Sequence, residues 1–526
     1  MSQIKSLAKD TAIYGVSNII NKFLNYLLVP FYTYILQTTS EYGVITNLYS
    51  WMALVIVVLT YGMETGFFRF INKPENDANQ VYSTTLCSLF TTSLLFALCV
   101  TIWQQPIASA MGYRNHADYI FYFGWIMAMD AFNTIPFAYL RYKNRPWRFA
   151  IIKFIGVLVN IGANLFFLLA CPRIAQHSPQ LIDWFYRPNY EVGYVCVSNL
   201  LSTIVTTLCL LPFVFEAKFN FSLTLLKQML RYSLPLLILG IAGIMNQHLD
   251  KIMMPYLFDS VEEGNAQLGI YGACAKLAMV MMIFIQAFRY AYEPFVFAKN
   301  NSRNSVGAYS DATKYFTIFA LLIIIGMVAY MDILRLIISP AYWSGLKVVP
   351  IILLSYLFEG IYFNLSIWYK LTDRTIWGAA FSLIGLTIIV VLNIVLVPKI
   401  GYMGCAWASL ACFLTCMLLS YFVGQKKYPI PYDLKSMAVY FGITIVLLGI
   451  YYGCKYAFTQ SDLMQHEMFG YTLKGYHISF LRADLANLLI GTCAVVAYLA
   501  LLFKRDFPIS SLPIVGKYFK NNQKQS

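Results

Sequence analysis

Apolar runs of 20 or more residues recur along almost the whole of this chain, and that recurrence constrains its fold more than any single motif. Each run is long enough to cross a hydrocarbon layer of roughly 30 Å as a helix. Lipid offers no water to the backbone, so helices, which satisfy their own N–H and C=O groups, are the expected form. With 59% hydrophobic and 12% charged residues among 526, a water-soluble globule could not hide its apolar surface in one core. The predicted spans cover residues 12–37, 41–66, 82–105, 115–140, 147–171, 191–215, 228–250, 266–294, 312–338, 344–370, 374–397, 401–424, 435–458 and 480–503. The expected fold class is therefore an all-α integral membrane protein of about 14 transmembrane helices.

The first apolar stretch carries Asn18, Asn21, Lys22 and Asn25 and lacks a small-residue cleavage pattern, so it is expected to stay in the membrane. Most of the 11 cysteines, Cys87, Cys209, Cys274 and Cys412 among them, fall within spans. There a thiol behaves as a small apolar side chain, and neither a disulfide framework nor a metal site is expected. The longest non-apolar connections, 172–190 and 459–479, are too short for a soluble domain, which places function in the helices and short loops.

Charge asymmetry sets an expected orientation. Arg69, Lys73, Arg141, Lys143, Arg145, Arg148, Lys218, Lys227, Lys299, Arg303, Lys426 and Lys427 fall on one set of alternating loops, and the C-terminal tail adds more cations. The opposite loops hold only scattered ones such as Arg114, Arg173 and Arg187. Positive loops stay inside, so both termini are predicted to be cytoplasmic. The net charge of +14 lies beside membrane helices rather than in one soluble patch, which argues against nucleic acid as a partner.

Two halves of the chain resemble each other. Tyr42-Gly43-Val44 and Leu268-Gly269-Ile270 each open a span and lie 226 residues apart; Asn164 and Asn393, each late in a span, lie 229 apart. Val192-Gly193-Tyr194 and Ile400-Gly401-Tyr402 each begin the following span. These pairs predict a six-helix lobe over 1–215, a second over 216–426, and two extra helices with a basic tail over 427–526. Parallel repeats around a central cleft are a usual basis for alternating access.

The Val29-Pro30-Phe31-Tyr32 passage, the Leu268-Gly269-Ile270-Tyr271-Gly272 opening and the Asn393 to Ser409 segment with its Pro398-Lys399-Ile400-Gly401 break resemble the polysaccharide transporter, or O-antigen flippase, family. That family belongs to the multidrug/oligosaccharidyl-lipid/polysaccharide exporter superfamily. The resemblance implies a non-enzymatic flippase of a bacterial inner membrane. It would carry an undecaprenyl-diphosphate-linked oligosaccharide from the cytoplasmic to the periplasmic leaflet, with a polysaccharide polymerase and chain-length machinery as further partners. No phosphate-binding Gly-x-x-x-x-Gly-Lys-Ser/Thr loop occurs in the sequence, in keeping with transport that needs no ATP hydrolysis by this chain.

An anionic head group crossing a bilayer needs cations and hydrogen-bonding groups in place of lipid, which directs attention to ionisable residues within spans. Lys22 lies about midway through the first span, with Asn18 and Asn25 at helical spacing on its face. Lys153, Asn160 and Asn164 form a stripe on the fifth span. The eighth carries Lys276, then Gln286, Arg289 and Glu293, the last two at the spacing of a same-helix ion pair. Lys22, Lys276, Arg289 and Lys153 are the candidate substrate-binding cations. Glu64, Asp130 and Glu293 are candidate carriers of a coupling proton or sodium ion, with Arg69 a competing partner for Glu64. Asn246 and Gln247, beside His248, Asp250 and Lys251, either line the cleft or pack helices, and Asp250 with Lys251 is equally readable as an outer surface. The bland alternative for each charge is a structural ion pair.

Three other functions are compatible with such a chain. A flippase for the peptidoglycan precursor shares the fold and the cationic logic and is a minor variant of the first reading. A cation-coupled drug exporter predicts a more acidic and aromatic cleft, against which Lys22, Lys276 and Arg289 argue. A membrane polymerase or ligase predicts a large extracytoplasmic loop bearing its reactive side chains, which these short loops do not provide.

Overall fold

The computed structural model describes residues 15, 17, 19–21, 23–216, 218–299, 305–372, 374–473 and 476–506. The helices are α1 (Leu28–Ile35), α2 (Thr39–Thr60), α3 (Met63–Ile71), α4 (Ala78–Ala110), α5 (Ala117–Tyr142), α6 (Pro146–Leu165), α7 (Cys171–His177), α8 (Glu191–Val214), α9 (Leu223–Met253), α10 (Val261–Leu277), α11 (Met279–Lys299), α12 (Ser305–Ala329), α13 (Met331–Leu334), α14 (Val349–Leu365), α15 (Ile367–Leu371), α16 (Ile376–Ile400), α17 (Tyr402–Lys427), α18 (Leu434–Thr459) and α19 (Arg482–Arg505). Short polar side chains start several of them. Thr38, Asp77, Ser222 and Asp433 accept backbone N–H bonds at the N-termini of α2, α4, α9 and α18, and Pro146 opens α6.

Among the described residues, 11 helices are long and apolar enough to cross a membrane, or 12 if α10 and α11, bent by 49°, form one span. That is fewer than the 14 expected. The 115–140 span does form a helix, α5, but its tyrosines with Asp118, Asp130, Asn133 and Arg141 make it less apolar than its neighbours. The first span begins outside the described residues. The non-apolar connection at 459–479 holds an antiparallel hairpin of β1 (Glu467–Leu473) and β2 (Tyr476–Leu481), with a bulge between Glu467 and Phe469.

By contact the chain forms two compact units, one of residues 1–276 and 375–412, the other of 277–374 and 413–526. In the first, α5 packs on α4 and α8, α6 on α8, and α9 on α2 and α16. Apolar burial does not drive association in lipid, so close contact and hydrogen bonds must do so. Accordingly Ser202 on α8 donates 2.6 Å to the carbonyl of Gly156 on α6, where a Cβ would lie 2.5 Å from Thr206 Oγ1. Tyr82 stacks on Tyr139 with ring centroids 4.0 Å apart and donates 3.0 Å to the Phe213 carbonyl, joining α4, α5 and α8. The predicted 41–66 span is interrupted: Tyr61 (φ +32°) and Gly62 (φ +71°) take left-handed conformations that end α2 and restart the chain as α3.

In the second unit α12 packs on α11, α14, α18 and α19. Ion pairs hold it to the last two helices at both ends. At one end Lys314 lies 2.5 Å from Asp506 and 3.3 Å from Asp433, with Tyr440 donating 2.7 Å to Asp506. At the other, just past α12, Lys455 lies 2.7 Å from Asp332, Arg335 lies 3.0 Å from Asp484, and Asn487 donates 3.1 Å to Asp332.

Candidate functional site

Two of the predicted coupling carboxylates and one predicted cation come together in the first unit. The break at Gly62 puts Glu64 in the first turn of α3, where a carboxylate suits the helix dipole. There it pairs with Arg141 of the last turn of α5, whose guanidinium also lies 4.9 Å over the Phe68 ring. Lys153 on α6 stands within electrostatic reach of both Asp130 and Glu64, its ammonium 4.3 Å from the Phe137 ring centroid. Asp130 on α5 lies beside Thr203 on α8. Two carboxylates and two cations thus balance within one lobe, which is what a low-dielectric setting demands. Arg141 was not among the candidate residues. Arg69, the expected competitor for Glu64, instead lies 4.0 Å over Tyr232.

The amide stripe forms a relay between helices. Tyr32 on α1 donates 3.0 Å to Asn164, Asn164 donates 3.0 Å to the Asn160 side chain, and Asn160 donates 3.2 Å to Asn25. Asn160 and Asn164 are buried while Asn25 is exposed. Asn18 and Lys22 lie outside the described residues. Hydrogen bonds between membrane helices contribute about 0.6–2 kcal/mol each. Asn164→Leu, which removes one of them, from Tyr32, together with the bonds to Asn160 within α6, is expected to lower stability by about 0.6–2 kcal/mol, read as an earlier melting transition in detergent.

A second polar cluster surrounds the end of α9. Asp250, readable in the sequence as part of an outer surface, is 2% exposed. It accepts from Tyr271 Oη at 2.9 Å, from Lys251 Nζ at 3.1 Å and from the Lys251 backbone at 2.8 Å. A short run of polar residues at a helix end reads as surface in sequence; here the neighbouring helix α10 covers it. Asn47 on α2 donates 3.0 Å to the Lys251 carbonyl and accepts at 3.1 Å from Tyr113 in the turn between α4 and α5. Lys276, half-buried on α10, and His248 both lie within electrostatic reach of Lys251. Asn246 donates 3.1 Å to the Ser382 carbonyl of α16, acting between helices, and the Gln247 carbonyl accepts from Lys251 Nζ at 2.9 Å. Asn47 and Tyr113 have no periodic or charge signature that would have singled them out.

At the same level the two repeat-opening glycines meet. A Cβ on Gly43 would stand 1.8 Å from the Asn265 carbonyl oxygen, and one on Gly269 would stand 1.9 Å from that of Thr39. Thr39 and Asn265 are separated by the same 226 residues as Gly43 and Gly269, so the contact is reciprocal: each half's glycine meets the other half's carbonyl. Only glycine lets the backbones of α2 and α10 approach this closely.

In the second unit Arg289 on α11 is exposed, its guanidinium 4.1 Å over Phe363, and Lys370 stands 4.5 Å from the same ring. The Glu293 side chain lies outside the described residues. No group of three or more His, Cys, Asp or Glu suited to a metal occurs among the described residues.

A family model described as polysaccharide biosynthesis protein matches residues 7–298, more than half of the chain. The chain belongs to that family. A protein of the Lsg locus of Haemophilus influenzae is 22% identical over 296 residues, covering 55% of this chain; the chain spans 65% of that curated relative's length. Among solved structures, the lipid II flippase MurJ in an inward closed conformation superposes with a TM-score of 0.70 at 13% identity, covering 94% of this chain and 99% of that one. An inward-facing multidrug resistance transporter of the MATE family, in the MOP superfamily, gives 0.61 at 12% identity, with 77% and 94% covered. The MATE multidrug transporter DinF-BH gives 0.58 at 14%, with 80% and 96% covered. This polysaccharide biosynthesis family member therefore has the fold of MurJ and the MATE transporters and is a multi-pass membrane protein.

Proposed function

We propose that the protein flips an undecaprenyl-diphosphate-linked oligosaccharide from the cytoplasmic to the periplasmic leaflet of a bacterial inner membrane, for surface polysaccharide such as O-antigen or capsule. The observation that carries this reading is the presence of half-buried cations, Lys153, Arg141 and Lys276, on long helices of a polysaccharide biosynthesis family member. A diphosphate leaving water needs such groups, and charges within a membrane protein are costly unless they serve a path or a partner.

The balanced quartet supplies a way to admit an anion. When a diphosphate diester, which carries two negative charges, pairs with Lys153 and Arg141, Asp130 and Glu64 both lose their countercharges and each takes up a proton or a sodium ion in its place. Net charge in the low-dielectric interior stays near zero, and substrate entry becomes coupled to an ion gradient. Lys22, Lys276 and Arg289 are the further candidate cations for the substrate, with Asn18, Asn25, Asn160, Asn164, Asn246 and Gln247 as candidate hydrogen-bonding groups and Glu293 as a third candidate coupling carboxylate. The lobes 1–215 and 216–426 are the moving parts, both termini are cytoplasmic, and a polymerase with its chain-length machinery takes the product.

A drug exporter is the second reading, favoured by the likeness to MATE folds. The two readings separate in a deletion strain assayed for the leaflet that holds its lipid-linked oligosaccharide. Accumulation on the cytoplasmic side, relieved by restoring the gene, supports flipping; head groups that reach the periplasm without the gene favour the exporter. In the restored strain, Lys153→Ala and Lys276→Ala are expected to abolish surface polysaccharide while the protein accumulates normally. Full export in both variants would remove these lysines from the mechanism.

A further inference from the structure

One face of the first unit carries a patch that neither packing nor ion pairing accounts for. The loop joining α8 to α9 is pinned to the start of α4: the backbone N–H of Asn220 donates 3.0 Å to Ser83 Oγ and that of Ser222 donates 3.1 Å to Thr84 Oγ1. Held there, the loop turns Phe215 and Phe219 outward, 78% and 79% exposed, on the face where Trp147 at the start of α6 is 65% exposed. The two segments adjoin, because the Arg148 guanidinium lies 5.6 Å and that of Arg145 5.9 Å from the ring of Phe213 at the end of α8.

The cations in this patch divide into two kinds. Arg145 gives two nitrogens to Glu216, at 2.7 and 2.8 Å, and this pairing holds the Glu216 carboxyl below its ordinary range. Lys143, Arg148 and Lys218 are exposed and have no carboxylate within ion-pair distance among the described residues. Large exposed rings beside uncompensated cations are unfavourable in water, and they lie where α6 begins, α8 ends and α9 begins, the level of a membrane surface. A free anion would satisfy the charges and leave the rings in water; an anionic lipid satisfies both.

We propose that this patch binds an anionic phospholipid of the adjoining leaflet, with Lys143, Arg148 and Lys218 around its phosphate and Phe215, Phe219 and Trp147 against its glycerol and upper acyl carbons. The inference is independent of which substrate the protein moves.

Phosphatidylglycerol and phosphatidylcholine titrated into the detergent-solubilised full chain, with bound lipid counted by native mass spectrometry, test it. Wild type is expected to retain phosphatidylglycerol preferentially. The triple variant Lys143→Gln/Arg148→Gln/Lys218→Gln should lose roughly a hundredfold in affinity, since each cation near an anionic surface contributes about fivefold. Equal binding of the two lipids by wild type, or unchanged phosphatidylglycerol binding by the triple variant, overturns the proposal. So does displacement of the lipid by inorganic phosphate at equal concentration, which marks a site for a free anion. A second readout needs no charge change: brominated phosphatidylglycerol should quench wild-type fluorescence more than that of Trp147→Phe, and equal quenching overturns the placement.

Discussion

Gly43→Leu is expected to leave little folded protein, and Gly269→Leu to do the same. At both positions the obstacle is a backbone carbonyl of the facing helix, 1.8 and 1.9 Å from the new Cβ, which cannot swing aside as a side-chain end can. The helices α2 and α10 must part, and overpacking of this kind costs about 1–3 kcal/mol and sometimes more. Parting them also breaks the bond between them from Ser40 to the Glu262 carbonyl at 3.3 Å. Gly162 on α6 has nothing within 4 Å of its added Cβ, so Gly162→Leu serves as the control and should fold normally. Fluorescence-detected size exclusion and melting in detergent measure the difference. If Gly43→Leu melts with wild type, the reciprocal crossing is not what holds these helices together.

Asp332→Ala is expected to destabilise the second unit by about 3–5 kcal/mol, the usual result of removing one partner of a buried ion pair. Asp332 is 7% exposed and serves both Lys455 and Asn487, so its loss leaves a partly buried ammonium and an amide without their acceptor. Most of that cost lies in the orphaned charge rather than in the lost attraction. The double variant Asp332→Ala/Lys455→Ala should therefore recover a substantial part of it. Limited proteolysis near the hairpin and thermal melting report the effect, and a double variant as unstable as the single would refute the pairing.

Much of the architecture was readable because it depends on local properties. Long apolar runs, polar caps and proline positions are written in consecutive residues, and α4, α6, α8, α14, α16, α17, α18 and α19 fall on predicted spans within a few residues at most ends. The interruption at Tyr61 and Gly62 was not readable: a Tyr-Gly pair late in an apolar run is tolerated within many helices, and only packing shows that a Cβ on Gly62 would lie 2.8 Å from the Ser233 carbonyl oxygen on α9. The hairpin at 467–481 was missed because a short connection between spans was read only for its lack of apolarity.

The site followed the same division. Spacing alone grouped Asn160 with Asn164, and the structure adds Tyr32 and Asn25 to them. Glu64, Asp130 and Lys153 were each singled out for being ionisable within an apolar span, yet nothing in the order of residues joins 64 to 141 or 130 to 153. The sequence by itself determined that this chain crosses a membrane many times, that its opening glycines repeat 226 residues apart, and which rare charges lie in its spans. Only the tertiary structure decided which charge meets which, that Asp250 is covered, and that the two repeated glycines face one another. Hydropathy and repetition are properties of consecutive residues in a solvent, whereas an ion pair or a backbone crossing exists only once distant helices have packed.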